Sequence, residues 1–262
     1  MSLIAAEGLK VSFNGYAALD GAGLSVDRGE TVGLLGPNAA GKTTLLRTLA
    51  GLIEPQGGRV TLDGAPLDSI PRAARARRIG YLPQSAACHW PLTVERLAAL
   101  GRIPHLGAFA REGEHDREAV ARALADCDVT DLAARPVTAL SGGEQARAML
   151  ARALAGEPEL LLADEPVAQL DPWHQLRVME LMRAIASRGG AVVVALHDLA
   201  LAARFCDRLV LLDHGKVAAE GAPSAVLTEA VLARVFGIAA VVIHHVDGLL
   251  VVPRARIDGA SP

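Results

Sequence analysis

The chain has 262 residues, of which 51% are hydrophobic, and its formal net charge is -3. No apolar run approaches the roughly 18 residues of a membrane-spanning helix. The slightly acidic balance disfavours nucleic acid as the main partner, because proteins that bind a phosphate backbone usually carry a basic surplus. The first residues lack the basic and apolar regions of a secretory signal, so we expect a cytosolic protein. Cys88, Cys127 and Cys206 are widely spaced and odd in number, which predicts isolated thiols and no disulfide or cysteine metal site.

The first part of the chain predicts strands. Turn signals divide residues 1–30 into short strands, and residues 59–64 show the same pattern. We expect these strands to form an antiparallel β subdomain. Between them, Thr31–Leu35 is a short apolar strand that leads through a glycine-rich turn into a helix predicted over residues 42–52.

The rest of the chain predicts helices first and then buried strands. Residues 91–154 have apolar residues at helical spacing, which indicates a helical subdomain. Two apolar runs, 160–163 and 191–196, flank a predicted helix over 173–187, a pattern typical of buried parallel strands. Further strands are predicted at residues 209–212 and 216–219, and a hairpin is predicted from residues 241–244 and 249–252.

A glycine-rich loop follows the strand Thr31–Leu35 and fits the phosphate-loop pattern G-x-x-x-x-G-K-[ST]. Its residues are Gly36, Pro37, Asn38, Ala39, Ala40, Gly41, Lys42 and Thr43, followed by Thr44. In such a loop the backbone N–H groups surround the phosphates, the lysine reaches the β- and γ-phosphates, and the hydroxyl of the final residue binds Mg²⁺. An ordinary strand-to-helix turn is the alternative. The context of strand, loop and helix favours an ATP site with Lys42 on the phosphates and Thr43 on Mg²⁺.

Two carboxylates, Asp164 and Glu165, follow the apolar run 160–163. In this type of sheet the end of that strand lies beside the phosphate loop. Asp164 can then hold Mg²⁺, and Glu165 can orient or deprotonate the attacking water. The alternative is a pair of solvated charges at a strand end. With a phosphate loop present, the pair favours hydrolysis over binding alone.

A second glycine motif, Leu-Ser-Gly-Gly-Glu-Gln at residues 140–145, opens an amphipathic helix. Ser141 and Glu144 have the spacing of a capping box, which by itself explains those two residues. The glycine pair, Gly142 and Gly143, remains to be explained. Glycines at a helix N-terminus expose backbone N–H groups where the dipole is positive, as a phosphate site would require.

The ordered set of motifs resembles the ATP-binding cassette (ABC) ATPases over nearly the whole chain. The set runs from the phosphate loop through Gln84, the Leu-Ser-Gly-Gly signature, Asp164-Glu165 and Leu170-Asp171 to His197-Asp198. The resemblance implies an α/β fold of the phosphate-loop ABC ATPase type, with a mixed parallel core sheet, an N-terminal antiparallel β subdomain and an inserted helical subdomain. It implies a single domain over residues 1–262, with its core and antiparallel subdomain in 1–85 and 156–220, its helical subdomain in 86–155 and a C-terminal helix and hairpin in 221–262.

The resemblance also implies roles for single residues. Gln84 would contact Mg²⁺ and the lytic water, and His197 would contact the γ-phosphate and hold Glu165. Tyr16 would stack on adenine. Asp171 would belong to a loop that crosses a dimer interface.

The same resemblance implies partners. Ser141, Gly142 and Gly143 of one subunit would bind the γ-phosphate of ATP held by the other, so the protein would act as a homodimer. It would sit at the cytoplasmic face of the inner membrane on separate integral membrane permease subunits, and indirectly serve a substrate-binding protein. Residues 101–105 and 197–208 look like the importer branch for ferric siderophores, haem and cobalamin. The main alternative is a soluble ABC ATPase acting on ribosomes or DNA, and a second is a nucleotide-binding scaffold without turnover.

Several residues depart from the family pattern. Ala39 stands where glycine is usual, and at positive φ its methyl would cost about 1 kcal/mol and reduce nucleotide affinity. Glu144 replaces a glutamine, and we expect its carboxylate to turn back and cap its own helix. The sequence of residues 167–171 is also unusual, which leaves open the contacts of Asp171 across the interface. We expect structural or surface roles for His244-His245 and Cys88-His89, and a solvated face for the arginines of Arg72–Arg78.

Overall fold

The computed structural model describes residues 2–84, 90–107, 111–245 and 248–257, and these residues form an α/β fold with three sheets. The strands are β1 (Ser2–Phe13), β2 (Tyr16–Asp27), β3 (Thr31–Leu35), β4 (Gly57–Leu62), β5 (Ala65–Pro66), β6 (Ile79–Leu82), β7 (Leu160–Asp164), β8 (Ala191–Ala195), β9 (Arg208–Asp213), β10 (Lys216–Gly221), β11 (Ile238–His245) and β12 (Gly248–Arg256). The α-helices are α1 (Lys42–Leu49), α2 (Arg72–Arg78), α3 (Val94–Ala99), α4 (Glu114–Asp126), α5 (Gly142–Ala155), α6 (Pro172–Ser187), α7 (Leu199–Phe205), α8 (Pro223–Val226) and α9 (Glu229–Phe236).

The central sheet has the strand order β10-β9-β3-β8-β7-β6. Its neighbours run parallel except at β10, which pairs antiparallel with β9 at one edge. Strands β3, β7 and β8 are buried along their whole length because both faces are covered. Alternate residues therefore enter different cores: Leu161 and Ala163 pack with the helices, whereas Leu160 and Leu162 pack with the antiparallel sheet and α1. This double covering explains why these strands are continuous apolar runs in the sequence.

The antiparallel sheet has the order β2-β1-β4-β5. The expectation of short strands in residues 1–30 was wrong, since β1 and β2 have 12 residues each. Shifts of register between them let such long strands twist while staying paired. Asn14 and Gly15 join them with φ of 48° and 83°, as a tight hairpin turn requires.

Helix α1 is shorter than the predicted range of 42–52. It ends at Leu49 because Gly51 adopts a φ of 68°, a left-handed conformation that stops the helix. The strand β6 was not predicted, because its four residues are too few to show a period.

The arginines of α2 lie on an unburied helix, as expected, but two of them also make specific contacts that were not predicted. Arg78 donates to Glu159 at 2.7 Å and also pairs with Asp63. Arg77 donates to the Pro104 carbonyl at 2.6 Å. The helix is thus tied to the antiparallel sheet, to the start of β7 and to the helical region at once.

Arg102 lies inside the helical region, where 2% of its surface is exposed. Its guanidinium donates to Asp116 at 2.8 Å, to Glu157 at 2.7 Å and to the Ala155 carbonyl at 3.0 Å. A buried guanidinium requires such partners. It therefore fixes residues 100–105 against α4 and the end of α5.

The C-terminal strands β11 and β12 form the predicted hairpin, which packs on α7 and α9. Part of its turn, together with Cys88-His89, lies outside the described residues. Among the residues that the structure describes, no helix is long and apolar enough to cross a bilayer. The described part of the chain also holds no group of three or more His, Cys, Asp or Glu side chains that could bind a metal ion. Burial raises the pKa of Cys206 to about 12 and raises that of Cys127 as well, which makes both thiols unreactive.

Candidate nucleotide site

The candidate site lies at the carboxyl edge of the central sheet. Four neighbouring parallel strands, in the order β3-β8-β7-β6, each end there. The phosphate loop follows β3, His197 follows β8, Asp164 and Glu165 end β7, and Gln84 follows β6. Residues that are up to 161 positions apart in the sequence thus meet at one edge, where open α/β sheets bind their ligands.

The phosphate loop wraps around the amino end of α1. Gly36 and Gly41 have φ of 145° and 103°, and a Cβ on either would lie within 2.4 Å of a backbone oxygen. The ammonium group of Lys42 donates to the carbonyls of Gly36 at 2.7 Å and Pro37 at 3.0 Å. Lys42 is buried, and burial lowers its pKa although the carboxylates of Glu165 and Asp164 oppose that shift. The lysine is therefore held beside the hollow of the loop, where a phosphate can take over its hydrogen bonds.

Glu165 receives hydrogen bonds from two side chains on neighbouring strand ends. The amide of Gln84 donates to one carboxylate oxygen at 2.5 Å, and Nε2 of His197 bonds the other. Glu165 itself has a φ of 52°, a conformation that L-residues rarely adopt and that often marks functional positions. The three side chains therefore form one connected group at the carboxyl edge of the sheet.

Asp164 is the buried member of the acidic pair, with 1% of its surface exposed. Neither of its carboxylate oxygens has a hydrogen-bond partner of good geometry among the described residues. Burial raises the pKa of Asp164, whereas the nearby Thr43 hydroxyl favours the ionised form. A buried carboxylate without partners beside a hydroxyl is the kind of oxygen donor set that Mg²⁺ prefers, so these residues fit that ion.

A cleft of about 330 Å³ opens over the loop. It is lined by Phe13, Tyr16, Ala18, Asn38, Ala39, Ala40, Gly41, Lys42, Thr43, Thr44, Gln84 and Glu165. Tyr16, a site residue predicted from the sequence, is among these lining residues, and its hydroxyl donates to the Ala39 carbonyl at 3.4 Å. Phe13 was missed. It faces Tyr16 across the hairpin turn, and the pairing rule for a two-residue turn could have found it.

The signature residues lie apart from this cleft. Ser141, Gly142, Gly143 and Asp171 are absent from its lining. Ser141 and Asp171 instead cap α5 and α6 respectively. Within one chain, the second glycine motif thus does not line the cleft over the phosphate loop.

Glu144 caps its own helix, as expected. Its carboxylate accepts from the Ser141 backbone N–H at 2.7 Å and from the Ser141 hydroxyl at 2.8 Å, while its N–H donates to Ser141 Oγ at 3.3 Å. The backbone hydrogen bond, more than any other contact, holds the pKa of Glu144 below its ordinary value.

Comparison with known proteins decides the family. A family model described as ABC transporter matches residues 19–168 of this chain. The chain belongs to the ABC transporter family. As an ABC cassette it binds ATP and hydrolyses it, in agreement with the prediction from its motifs.

Curated relatives of this ABC cassette are similar over most of its length. It is 44% identical over 244 residues to the hemin import ATP-binding protein HmuV of Pseudomonas entomophila, covering 91% of this chain and 94% of that protein. It is 45% identical over 253 residues to the protein of the same name from Streptomyces coelicolor, covering 96% and 90%. It is also 44% identical over 222 residues to the cobalamin import ATP-binding protein BtuD of Halobacterium salinarum, covering 84% of this chain and 55% of that protein.

Solved ABC cassettes have the same fold. A chain of a metal-chelate type ABC transporter in an inward-facing conformation superposes with a TM-score of 0.82 at 26% identity, covering 97% of this chain and 98% of that one. A bacterial ABC transporter cassette solved as a dimer gives 0.77 at 29% identity, covering 84% and 98%. The predicted fold class is therefore confirmed.

Proposed function

We propose that this ABC cassette is the ATP-hydrolysing subunit of an importer. Two copies would work beneath separate integral membrane permease subunits, at the cytoplasmic face of the inner membrane. The names of the relatives, which are import ATP-binding proteins, support import over the alternative of a soluble ATPase on ribosomes or DNA. The net charge of -3 supports the same choice.

The cargo we propose is an iron chelate, haem or cobalamin. Relatives named for hemin and for cobalamin support this class. A metal-chelate transporter among the structural neighbours supports it too. The cargo would pass through the permease after delivery by a substrate-binding protein, and no residue of this chain would contact it.

One observation carries the proposed chemistry: Lys42, Gln84 and Glu165 line one cleft, and His197 bonds Glu165 from the end of the neighbouring strand. Lys42 and the loop backbone would bind the phosphates of ATP. Glu165 would orient the attacking water and accept its proton, as a general base beside a γ-phosphate does. Gln84 and His197 would fix the carboxylate through their hydrogen bonds, and His197 would also contact the γ-phosphate.

Asp164, Thr43 and Gln84 would hold the Mg²⁺ ion. The ion would neutralise charge on the phosphate oxygens. The absence of hydrogen-bond partners for Asp164 in the described part of the chain is what supports its role.

Two aromatic side chains would hold the base. Phe13 and Tyr16 are both about half exposed at the mouth of the cleft. Aromatic rings bind a flat base by stacking. The predicted Tyr16 contacts the phosphate loop through its hydroxyl. We add Phe13 as a second stacking residue, because it lines the same cleft and faces Tyr16 across the hairpin turn.

Ser141, Gly142 and Gly143 would complete the site of a second copy. They expose the amino end of α5, which favours a phosphate, but they lie away from the cleft of their own chain. ATP would thus hold two copies together, and the charge lost on hydrolysis would let them separate. Asp171 would lie in this interface.

Glu165→Gln tests the reaction. We expect ATP hydrolysis to fall by at least about 100-fold, because the general base is lost. ATP binding should be retained, since the phosphate loop is unchanged, and a stable ATP-bound dimer should accumulate in sedimentation experiments. Asp164→Asn is the matched control, which should weaken Mg²⁺-dependent binding. A Glu165→Gln protein that stays monomeric with Mg-ATP and its membrane partner would contradict the proposal.

Affinity purification from membranes tests the assignment to an importer. The tagged chain should bring down a polytopic permease that mass spectrometry can identify. Ribosomes or DNA in its place would contradict the proposal.

A further inference from the structure

A large exposed aromatic side chain at the start of α6 has no part in the roles described above. Trp173 lies in the first turn of α6 with 63% of its surface exposed. The nucleotide cleft does not include it. A tryptophan so exposed leaves a large apolar area in water, and tryptophan is among the residues most enriched at the centres of protein interfaces.

The Trp173 ring contacts a neighbouring ring that is itself held by the cap of α6. Asp171 caps α6 by accepting from the His174 backbone N–H at 3.0 Å, and its second oxygen bonds His174 Nδ1 at 2.6 Å. The Trp173 ring then meets the His174 ring edge to face, with centroids 4.9 Å apart. An aromatic side chain that is already oriented loses little conformational entropy when it binds.

The loop before Trp173 lies against the signature helix. A Cβ added to Gly142 would lie 3.3 Å from the Gln169 side-chain oxygen, and one added to Gly143 would lie 3.5 Å from the Gln169 carbonyl. The loop that leads into α6 therefore packs on the first turn of α5. Trp173 follows this loop closely, two residues after Asp171, in the first turn of α6. We call the signature glycines, the loop and Trp173 together the signature face (residues 141–143, 169–171 and 173).

We propose that Trp173 is buried against a second copy of this chain when ATP closes the dimer, and that it contributes a large share of the dimer's stability. The proposal rests on the function proposed above. The occupant is a second copy because the signature residues would meet a phosphate loop on another chain, and Trp173 follows the loop that packs on them. In a two-fold dimer the contact occurs twice, once beside each nucleotide.

Tryptophan fluorescence tests the burial directly, in the Glu165→Gln background. The chain has two tryptophans. The part of the emission change that the parent shows and the Trp173→Phe variant lacks therefore comes from Trp173. On adding Mg-ATP we expect this part to shift to shorter wavelength and to become protected from acrylamide, at the protein concentrations where sedimentation shows a dimer.

Affinity between the copies tests the energetic role. We expect Trp173→Ala to raise the protein concentration needed for half-dimerisation at saturating Mg-ATP by at least tenfold, and Trp173→Phe to raise it by less. Binding of a fluorescent ATP analogue to the monomer should be unchanged in both, which also shows that they fold.

A dimer in which Trp173 stays open to acrylamide, or in which Trp173→Ala assembles like its parent, would overturn the inference and leave the proposed function standing. If the parent itself forms no ATP-dependent dimer, the proposed function fails and the inference fails with it.

Discussion

At the scale of single residues, Ala39 departs from the usual glycine of the phosphate loop and adopts a strained backbone conformation. Its φ of 62° lies in the left-handed region, so the sequence-based concern about its methyl group was justified. Such a conformation costs an L-residue about 1–2 kcal/mol. The neighbouring Ala40 is buried, and its φ is not positive.

We expect Ala39→Gly to stabilise the protein by about 0.5 kcal/mol, because the relief of strain exceeds the greater entropy of glycine in the unfolded chain. If the strain also opposes nucleotide binding, as predicted from the sequence, ATP affinity should rise in parallel. Urea unfolding and ATP titration measure the two effects.

Ala40→Gly is the control, and it should destabilise the protein because it removes a buried methyl and relieves no strain. Equal destabilisation by the two substitutions would show that Ala39 is not strained.

Glu144 is the second departure at this scale, and its geometry predicts a harmless replacement. Its carboxylate is engaged by Ser141 and lies 3.7 Å from Arg135, so it is directed back to its own helix. We expect Glu144→Gln to change the ATPase rate by less than about twofold, because glutamine also completes a capping box. A steady-state assay that shows a severalfold increase would instead mean that the charge repels the opposing γ-phosphate.

At the scale of elements, the contacts between sequence-distant segments are what the sequence could not predict. The phosphate loop, the acidic pair and the capping box were recognisable because each is a local pattern. The networks of Arg78 and Arg102 were not, since their partners come from other elements and no local period marks them. Phe13 was missed for a related reason: turn signals and antiparallel strands were predicted in residues 1–30, but the pairing of residues across the turn was not.

The Arg102 network gives a prediction about acid stability. Although burial opposes the shift, hydrogen bonds from Arg102 and Arg122 hold the pKa of Glu157 below its ordinary value of 4.5. The backbone N–H of Gly113, followed by Arg102, lowers the pKa of Asp116 as well. A carboxylate with a lowered native pKa binds more protons when unfolded. The carboxylate therefore contributes fully to the free energy of unfolding above about pH 5, and this contribution is lost as the pH falls through the native pKa.

We expect Arg102→Met to lower the free energy of unfolding at pH 7 by about 2 kcal/mol, because it removes a buried charged partner that Glu157 and Asp116 share. Its stability should then fall less steeply than that of the parent between pH 5 and pH 3. Urea unfolding at several pH values measures both effects.

Arg96→Met, an exposed arginine in the same region, is the matched control and should resemble the parent. Parallel pH curves for the parent and Arg102→Met would show that this network does not set the acid stability.

At the scale of the whole molecule, the separation of the cleft from the signature face predicts how two defective chains should behave together. Each proposed site takes Lys42 from one copy and Gly142 from the other. Lys42→Ala removes the first group. Gly142→Asp adds a side chain that meets Gln169 and a charge that repels phosphate.

Each variant alone should lack ATPase activity, since both of its sites are defective. In a mixed dimer, one site combines the intact phosphate loop of one chain with the intact signature of the other. Random mixing makes half of the dimers mixed, with one intact site of two, so activity should return to about a quarter of the parent level. Assays of the separate and mixed proteins, with two preparations of Lys42→Ala as the control mixture, measure this recovery. If native mass spectrometry detects mixed dimers and activity does not return, the two motifs do not act across the interface, because a site shared between copies requires recovery in every mixed dimer.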